Sequence, residues 1–237
     1  MENIIISLTS YSKRFNTLSR VLESLKKQSL SPDNIVLWIA YKDISKLSKK
    51  IKDMVDVRFC KDIKSYKKII PTLKEYPNSF IVTADDDIVY KNNWLETLVK
   101  CWDGNENHIA SYRVRRMVFD NNKLLPYKKW TINHELSQYP SPLNLCNTGA
   151  GVLYPPNIFH DEVFNEKVFT KLCPTADDIW LYWMARLNNK KIYHIQSNSY
   201  KLKTIPIVKK DALWHINKNK NDEYIQNLIK KYGEVFK

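Results

Sequence analysis

Three consecutive aspartates, Asp85-Asp86-Asp87, follow directly on the apolar run Phe80-Ile81-Val82-Thr83-Ala84. Like charges packed this closely repel, and a cation among them relieves the cost. Carboxylate oxygens are hard ligands suited to Mg²⁺ or Mn²⁺, ions often held together with substrate phosphates. Alternate side chains on extended backbone point the same way, so Asp85 and Asp87 are placed to share one ion. A strand that feeds the cluster into a loop puts it at the carboxyl edge of a sheet, where open α/β folds bind ligands. An acidic turn or a helix cap is the competing reading, but three adjacent aspartates after a buried strand exceed what a cap requires.

A second acidic pair, Asp177-Asp178, opens the apolar segment Ile179-Trp180-Leu181-Tyr182-Trp183-Met184-Ala185. The helix dipole favours carboxylates at an N-terminus, so one of them can serve as a cap. The other, assigned to Asp178, suits a general base acting on an acceptor hydroxyl. Trp180 is placed either to stack on a sugar face or to join Ile179, Trp183 and Leu187 in the core. The stretch Asn147-Thr148-Gly149-Ala150-Gly151 holds two of only four glycines in the chain. Gly149 and Gly151 permit close backbone approach to a ligand or mark an ordinary turn. The first strand ends at Thr9-Ser10-Tyr11, with Arg14 just behind. These residues are candidates to hold a nucleotide, although Thr9 or Ser10 also suits a helix cap. Lys67 and Lys68 precede the acidic strand and are candidate phosphate contacts. For Arg113, Arg115 and Arg116 a solvated surface role is the default. His215 is a candidate third metal ligand, whereas His194 reads as a satisfied strand histidine.

These residues need a scaffold, and the pattern supplies one. Apolar runs over 3–8, 34–40, 55–60 and 79–84 read as strands. Between them lie helical patterns over 14–28, 44–54 and 66–76, the last interrupted near Pro71. Beyond the aspartates, helices are expected over 92–102, 177–189 and 223–232, and strands over 108–112, 151–154 and 191–196. The segment 120–144 is turn-rich and aromatic and reads as a loop or a substrate-facing insertion. Strand–helix alternation implies an α/β fold: a Rossmann-like, mainly parallel mixed sheet flanked by helices, in one domain.

Composition narrows the chemistry. The chain has 237 residues and a net charge of +13, which favours anionic partners such as nucleotide sugars, acidic glycans or an anionic membrane surface. No nucleic-acid motif accompanies that charge, so dedicated nucleic-acid binding is not expected. GxGxxG, Walker A, GxSxG, HExxH and calcium-loop patterns are all missing. The four cysteines form no CxxC pair, and no apolar run approaches the ~20 residues of a membrane span. A cytoplasmic setting, with peripheral contact at the inner face of a membrane, is the expectation.

The chain resembles GT-A-fold bacterial glycosyltransferases of the family-2-like kind that build surface polysaccharide, capsule or lipopolysaccharide. The resemblance spans most of the chain. It rests on Ile4-Ile5-Ile6-Ser7-Leu8-Thr9-Ser10-Tyr11, Thr83-Ala84-Asp85-Asp86-Asp87, Gly149-Ala150-Gly151-Val152-Leu153-Tyr154-Pro155 and Ala176-Asp177-Asp178-Ile179-Trp180, in that order. It implies a single GT-A domain over 1–237, with 1–112 as the nucleotide-binding half and 113–237 as the acceptor-side half. It implies that Asp85 and Asp87 bind Mn²⁺ or Mg²⁺ with a nucleotide-sugar donor, UDP-linked by expectation, and that Asp86 lies near the donor ribose or sugar. The acceptor would be a glycan or a lipid-linked oligosaccharide, and Asp178 the base of an inverting displacement. The pair is Asp-Asp where Glu-Asp is commoner, so both Asp177 and Asp178 stay candidates. A metal-dependent nucleotidyltransferase or phosphohydrolase is the alternative. A non-catalytic basic module that binds lipid or nucleic acid is a third reading, and its binding would fall steeply with salt.

Overall fold

The apolar runs over 3–8, 34–40 and 79–84 become strands buried on both faces, as a sheet covered by helices on each side requires, and the run over 55–60 becomes a half-exposed edge strand. The computed structural model describes residues 3–196, 203–206 and 217–237. Its strands are β1 (Ile4–Ser10), β2 (Asn34–Ala40), β3 (Asp56–Cys60), β4 (Phe80–Thr83), β5 (Ile88–Val89), β6 (His108–Ser111), β7 (Val114–Arg116), β8 (Phe119–Asp120), β9 (Lys123–Leu124), β10 (Thr131–Ile132), β11 (Asn144–Cys146), β12 (Val152–Tyr154), β13 (Lys191–His194) and β14 (Lys203–Thr204). Its α-helices are α1 (Phe15–Lys26), α2 (Lys49–Lys52), α3 (Ile70–Glu75), α4 (Trp94–Lys100), α5 (Glu166–Leu172), α6 (Asp177–Leu187) and α7 (Asn221–Tyr232).

Among the described residues the main sheet has seven strands in the order β13-β6-β12-β4-β1-β2-β3. All neighbours pair in parallel except β12, which runs antiparallel to β4 and β6. The expected α/β architecture is therefore present, with strands from both halves of the chain in one sheet. Register brings the chemistry to one edge. Ile4 of β1 pairs with Phe80 and Ser7 with Thr83, so the chain leaves β1 and β4 on the same side.

Each face of the sheet carries its own core. On one face the α1 stripe of Leu18, Val21, Leu22 and Leu25 packs fully buried on the sheet with Leu95 and Leu98 of α4. On the other, Ile179, Trp180, Trp183 and Met184 of α6 pack with Tyr154, Phe169 and Leu228. Burying a large apolar side chain contributes roughly 1.5–3 kcal/mol, so α6 is anchored far beyond what its helix propensity would give.

Several sequence expectations are revised. The helix expected over 44–54 is a 3₁₀ segment, Tyr41–Lys46, followed by the single turn of α2, because two short turns already bury Leu47 and Ile51. Over 66–76, Pro71 lies in the first turn of α3, where its missing N–H costs nothing, and the chain before it is 3₁₀ over Lys64–Lys68. The segment 120–144 is not a free loop. It supplies β10 to a second sheet, ordered β10-β7-β11, and 3₁₀ turns at Tyr127–Lys129 and Glu135–Gln138. No helix among the described residues is long and apolar enough to cross a membrane.

Candidate active site

The acidic triplet leaves β4 under close restraint. Tyr90 accepts a hydrogen bond from the Asp85 backbone N–H at 2.7 Å and donates its hydroxyl to the Gly149 carbonyl at 2.8 Å. Thr83 Oγ1 donates to the Thr148 carbonyl and Trp94 Nε1 to the Ala150 carbonyl, so the 147–151 loop is pinned against the end of β4. A Cβ built on Gly149 would stand 1.7 Å from Asp85 Oδ2. Glycine is needed there because the loop backbone and the Asp85 carboxylate share one space.

The three aspartates have different partners. Asp86 is buried, accepts from Ser10 Oγ at 2.6 Å and is ion-paired to Arg14 Nη1. The same nitrogen lies 3.4 Å from Asp87 Oδ2. Burial works against the Arg14 charge, but Asp86 and Asp87 outweigh it and hold the guanidinium firmly protonated. Ser10 and Arg14, expected as nucleotide contacts, are thus occupied in orienting Asp86. Tyr11 lies under Arg14, its ring centre 5.4 Å from the guanidinium carbon, and Thr9 Oγ1 donates to the Trp38 carbonyl. Burial, then repulsion from Asp85 and Asp86, pushes the Asp87 carboxyl up to about 6.

Lys68 joins the two acidic clusters. Its side chain is 5% exposed, with Nζ 2.7 Å from Asp85 Oδ1 and 3.4 Å from Asp177 Oδ2. Burial disfavours the ammonium, but Asp177 and Asp85 more than compensate and raise its pKa. The expected phosphate contact is therefore an internal counter-ion in this structure. Lys67 turns away to Asp62.

Asp177 also accepts from Thr148 Oγ1 at 3.0 Å. Asp178 Oδ2 accepts from Asn147 Nδ2 at 3.0 Å, and its Oδ1 from the Ile179 N–H. Burial first, then the Asp177 charge, pushes the Asp178 carboxyl up to about 6. Ala176, not an aspartate, is the N-cap of α6; Asp178 Oδ1 answers one first-turn N–H of the helix, while Asp178 Oδ2 and Asp177 Oδ2 are held by the 147–148 loop instead. Asn147, Thr148 and Tyr90 are site residues that sequence reasoning did not assign. Asn147 and Thr148 stood beside the glycines, but nothing in the sequence tied them to Asp178 and Asp177, and Tyr90 gave no signal.

Two acceptor-side assignments are corrected. Trp180 is fully buried, donates to the Val163 carbonyl and meets Phe169 and Tyr232 edge-on. Two helical positions rotate it about 200° from Asp178, so it points into the core and away from any sugar. Gly151 is buried at φ +114°, and a Cβ there would stand 2.5 Å from Trp94 Nε1. Its glycine lets β12 start against that ring, whereas Gly149 faces the acidic edge. His215 lies outside the described residues. His194 sits half-buried on β13, where burial lowers its pKa.

Among the described residues no three His, Cys, Asp or Glu side chains converge on one metal position. Asp85 and Asp87 nevertheless fit an ion such as Mg²⁺, which takes one or two carboxylates and completes its shell with water and substrate phosphates. The repulsion on Asp87, which Arg14 and Lys68 offset only in part, is the feature such an ion would answer.

No protein-family model and no curated protein matches the sequence. Solved structures do match the fold. The 4-diphosphocytidyl-2C-methyl-D-erythritol synthase structure superposes with a TM-score of 0.55 at 10% identity, covering 97% of this chain and 100% of that one. S. aureus TarS 1-349, solved in complex with UDP, gives 0.51 at 14% identity over 83% of this chain and 58% of that one. CMP:2-keto-3-deoxy-manno-octonic acid synthetase, complexed with CTP, gives 0.52 at 7% identity over 83% and 90%. At these identities the likeness is one of fold: the chain is built on a Rossmann-like, GT-A-like α/β scaffold with a mainly parallel central sheet.

Proposed function

We propose that this chain is a metal-dependent, inverting glycosyltransferase that moves a sugar from a nucleoside diphosphate, UDP in the first instance, to a glycan or glycolipid acceptor. The carrying observation is the meeting of the two acidic clusters: Lys68 contacts both Asp85 and Asp177, and the 147–149 loop touches Asp85, Asp177 and Asp178. The UDP bound to TarS and the CTP bound to the synthetase support a nucleotide as ligand.

In this reading Thr9, Ser10, Tyr11 and Arg14 frame the donor at the β1 edge, with Arg14 and Ser10 fixing Asp86 beside the donor ribose. Asp85 and Asp87 would hold Mn²⁺ or Mg²⁺, which supplies charge neutralisation to the departing diphosphate. Asp178 Oδ2, steadied by Asn147, takes the proton of the acceptor hydroxyl as that oxygen attacks the anomeric carbon. Asp177, tied to Lys68 and Thr148, positions this pair. The setting is the cytoplasm, where the basic surface suits work beside an anionic membrane.

A nucleotidyltransferase is the second reading, favoured by two of the three structural likenesses. Phosphorus NMR of products separates them. With UDP-sugars, Mn²⁺ and a glycan acceptor mixture, UDP release is expected. Pyrophosphate release from CTP or UTP with a sugar phosphate would establish the second reading, and failure to bind any nucleotide would sink both.

Turnover at saturating donor should fall as pH drops through about 6, because the base raised to that value by burial and Asp177 becomes protonated below it. A kcat–pH profile flat from pH 5 to 7 would contradict Asp178 as base. Gly149→Ala should displace the Asp85 carboxylate and lower kcat/KM on the order of 10²-fold. Circular dichroism should show an intact fold, since the Asp85 side chain is partly exposed and can swing away.

A further inference from the structure

Beside Asp178 lies a cationic surface that the roles above leave unused. Asn147 N–H donates to the Arg113 carbonyl at 2.9 Å, extending the β7–β11 ladder by one residue beyond Cys146↔Val114. Residues opposite one another on an antiparallel pair project from the same face. Arg113 therefore leaves the sheet on the side where Asn147 reaches Asp178, and Arg115, two residues on, shares that face. Arg115 lies over the Tyr127 ring, its guanidinium carbon 4.8 Å from the centroid. The Tyr127 phenol is pushed up by burial and by the Asp178 charge and drawn back by Arg115, by a hydrogen bond with Asn147 and by Arg113.

Neither arginine forms an ion pair among the described residues, and Arg113 Nε is buried with no hydrogen-bond partner. Asp178 is answered by Lys68 and Asn147, so the arginines are not its counter-ions. Two half-buried guanidinium groups without a carboxylate are an anion site in waiting, since their planar forks match carboxylate and phosphate oxygens.

We infer that Arg113 and Arg115 receive an oxyanion carried by the second substrate, so that the acceptor is an acidic glycan bearing a carboxylate or phosphate ester. This rests on the reading of the Asp178 side as the acceptor's. It turns the general basic charge of the chain into a local determinant of specificity.

The test compares glucuronate, glucose 6-phosphate and glucose as probes of wild type, Arg113→Gln/Arg115→Gln and Arg113→Lys/Arg115→Lys, by saturation-transfer NMR and calorimetry. Each is run with and without UDP and Mn²⁺. Wild type should bind at least one charged sugar about tenfold more tightly than glucose, and the Gln pair should lose that preference while its UDP affinity stays within about twofold. The Lys pair, which keeps charge but loses the fork, should fall between, and it carries the test if the Gln pair misfolds. Whichever of glucuronate and glucose 6-phosphate binds more tightly identifies the oxyanion. Equal binding of charged and neutral sugars would overturn the inference, as would a preference that survives the Gln pair. Loss of UDP affinity in that pair would also overturn it, by giving the arginines to the donor. If UDP fails to bind wild type, the glycosyltransferase reading fails, while the nucleotide-free arms still read the anion preference.

Discussion

Asp178→Asn should lose turnover by about 10²–10⁴-fold, the usual worth of a positioned general base, while UDP binding in Mn²⁺ stays within about twofold. The substitution is nearly isosteric. Its single side-chain oxygen can keep only one of the two hydrogen bonds from Asn147 and the Ile179 N–H, so the proton acceptor is lost together with one local bond while the α6 backbone stays in place. Asp177→Asn is the informative partner. Asp177 is buried and tied to Thr148 and Lys68, so its loss should lower stability and distort the site, yet the acid limb of the pH profile should remain, moved to lower pH because the Asp177 charge no longer raises Asp178. If instead Asp177→Asn removes that limb and Asp178→Asn leaves turnover whole, the roles are exchanged. Full activity in both would exclude base catalysis from this pair.

The contrast between these neighbours explains how far sequence alone could lead. The triplet and the pair are legible because carboxylates beside long apolar runs break a strong local pattern, and the strand before the triplet puts it at the carboxyl edge of a sheet, whereas the pair reads only as the start of a helix. Nothing local in the sequence says that Lys68 spans the two clusters, or that Asn147 and Thr148 divide Asp178 and Asp177 between them. These contacts join residues far apart in the chain and exist only once β4, β12 and α6 are assembled. Trp180 misled for a related reason. Adjacency to an acid in sequence suggested adjacency in space, but a helix turns successive residues to different sides, and α6 buries every side chain from Ile179 to Ala185. Strand β7 was invisible because Val114-Arg115-Arg116 offers a single apolar residue, and its pairing comes from β10 and β11. The same blindness left Arg113 and Arg115 as ordinary surface charges until register set them beside Asn147.

Lys68→Met should be the most destabilising of these changes. It leaves Asp85 and Asp177 without their cation, and stripping one partner from a buried ionic cluster costs roughly 3–5 kcal/mol. In a chain of this size a loss near the lower bound lowers Tm by about 6–12 °C. The two arms of the contact are unequal, and distance alone ranks them wrongly. Asp85 is nearer, at 2.7 Å, but its side chain is 38% exposed and water screens it. Asp177 is farther, at 3.4 Å, but its side chain is 8% exposed. Burial therefore works against distance: Asp177 acts on the ammonium through its charge alone and Asp85 through a weaker charge interaction plus a hydrogen bond, and the more buried arm is expected to couple more strongly. Double-mutant cycles by urea unfolding should show coupling on the order of 1–3 kcal/mol between Lys68→Met and Asp177→Asn, and less between Lys68→Met and Asp85→Asn. Lys68→Arg should not rescue, because a planar fork does not fit a slot shaped for one ammonium between two carboxylates. A loss of less than about 0.5 kcal/mol in Lys68→Met would mean the lysine behaves as a surface charge. The link between the two acidic clusters, and with it the reading of them as one site, would then fail.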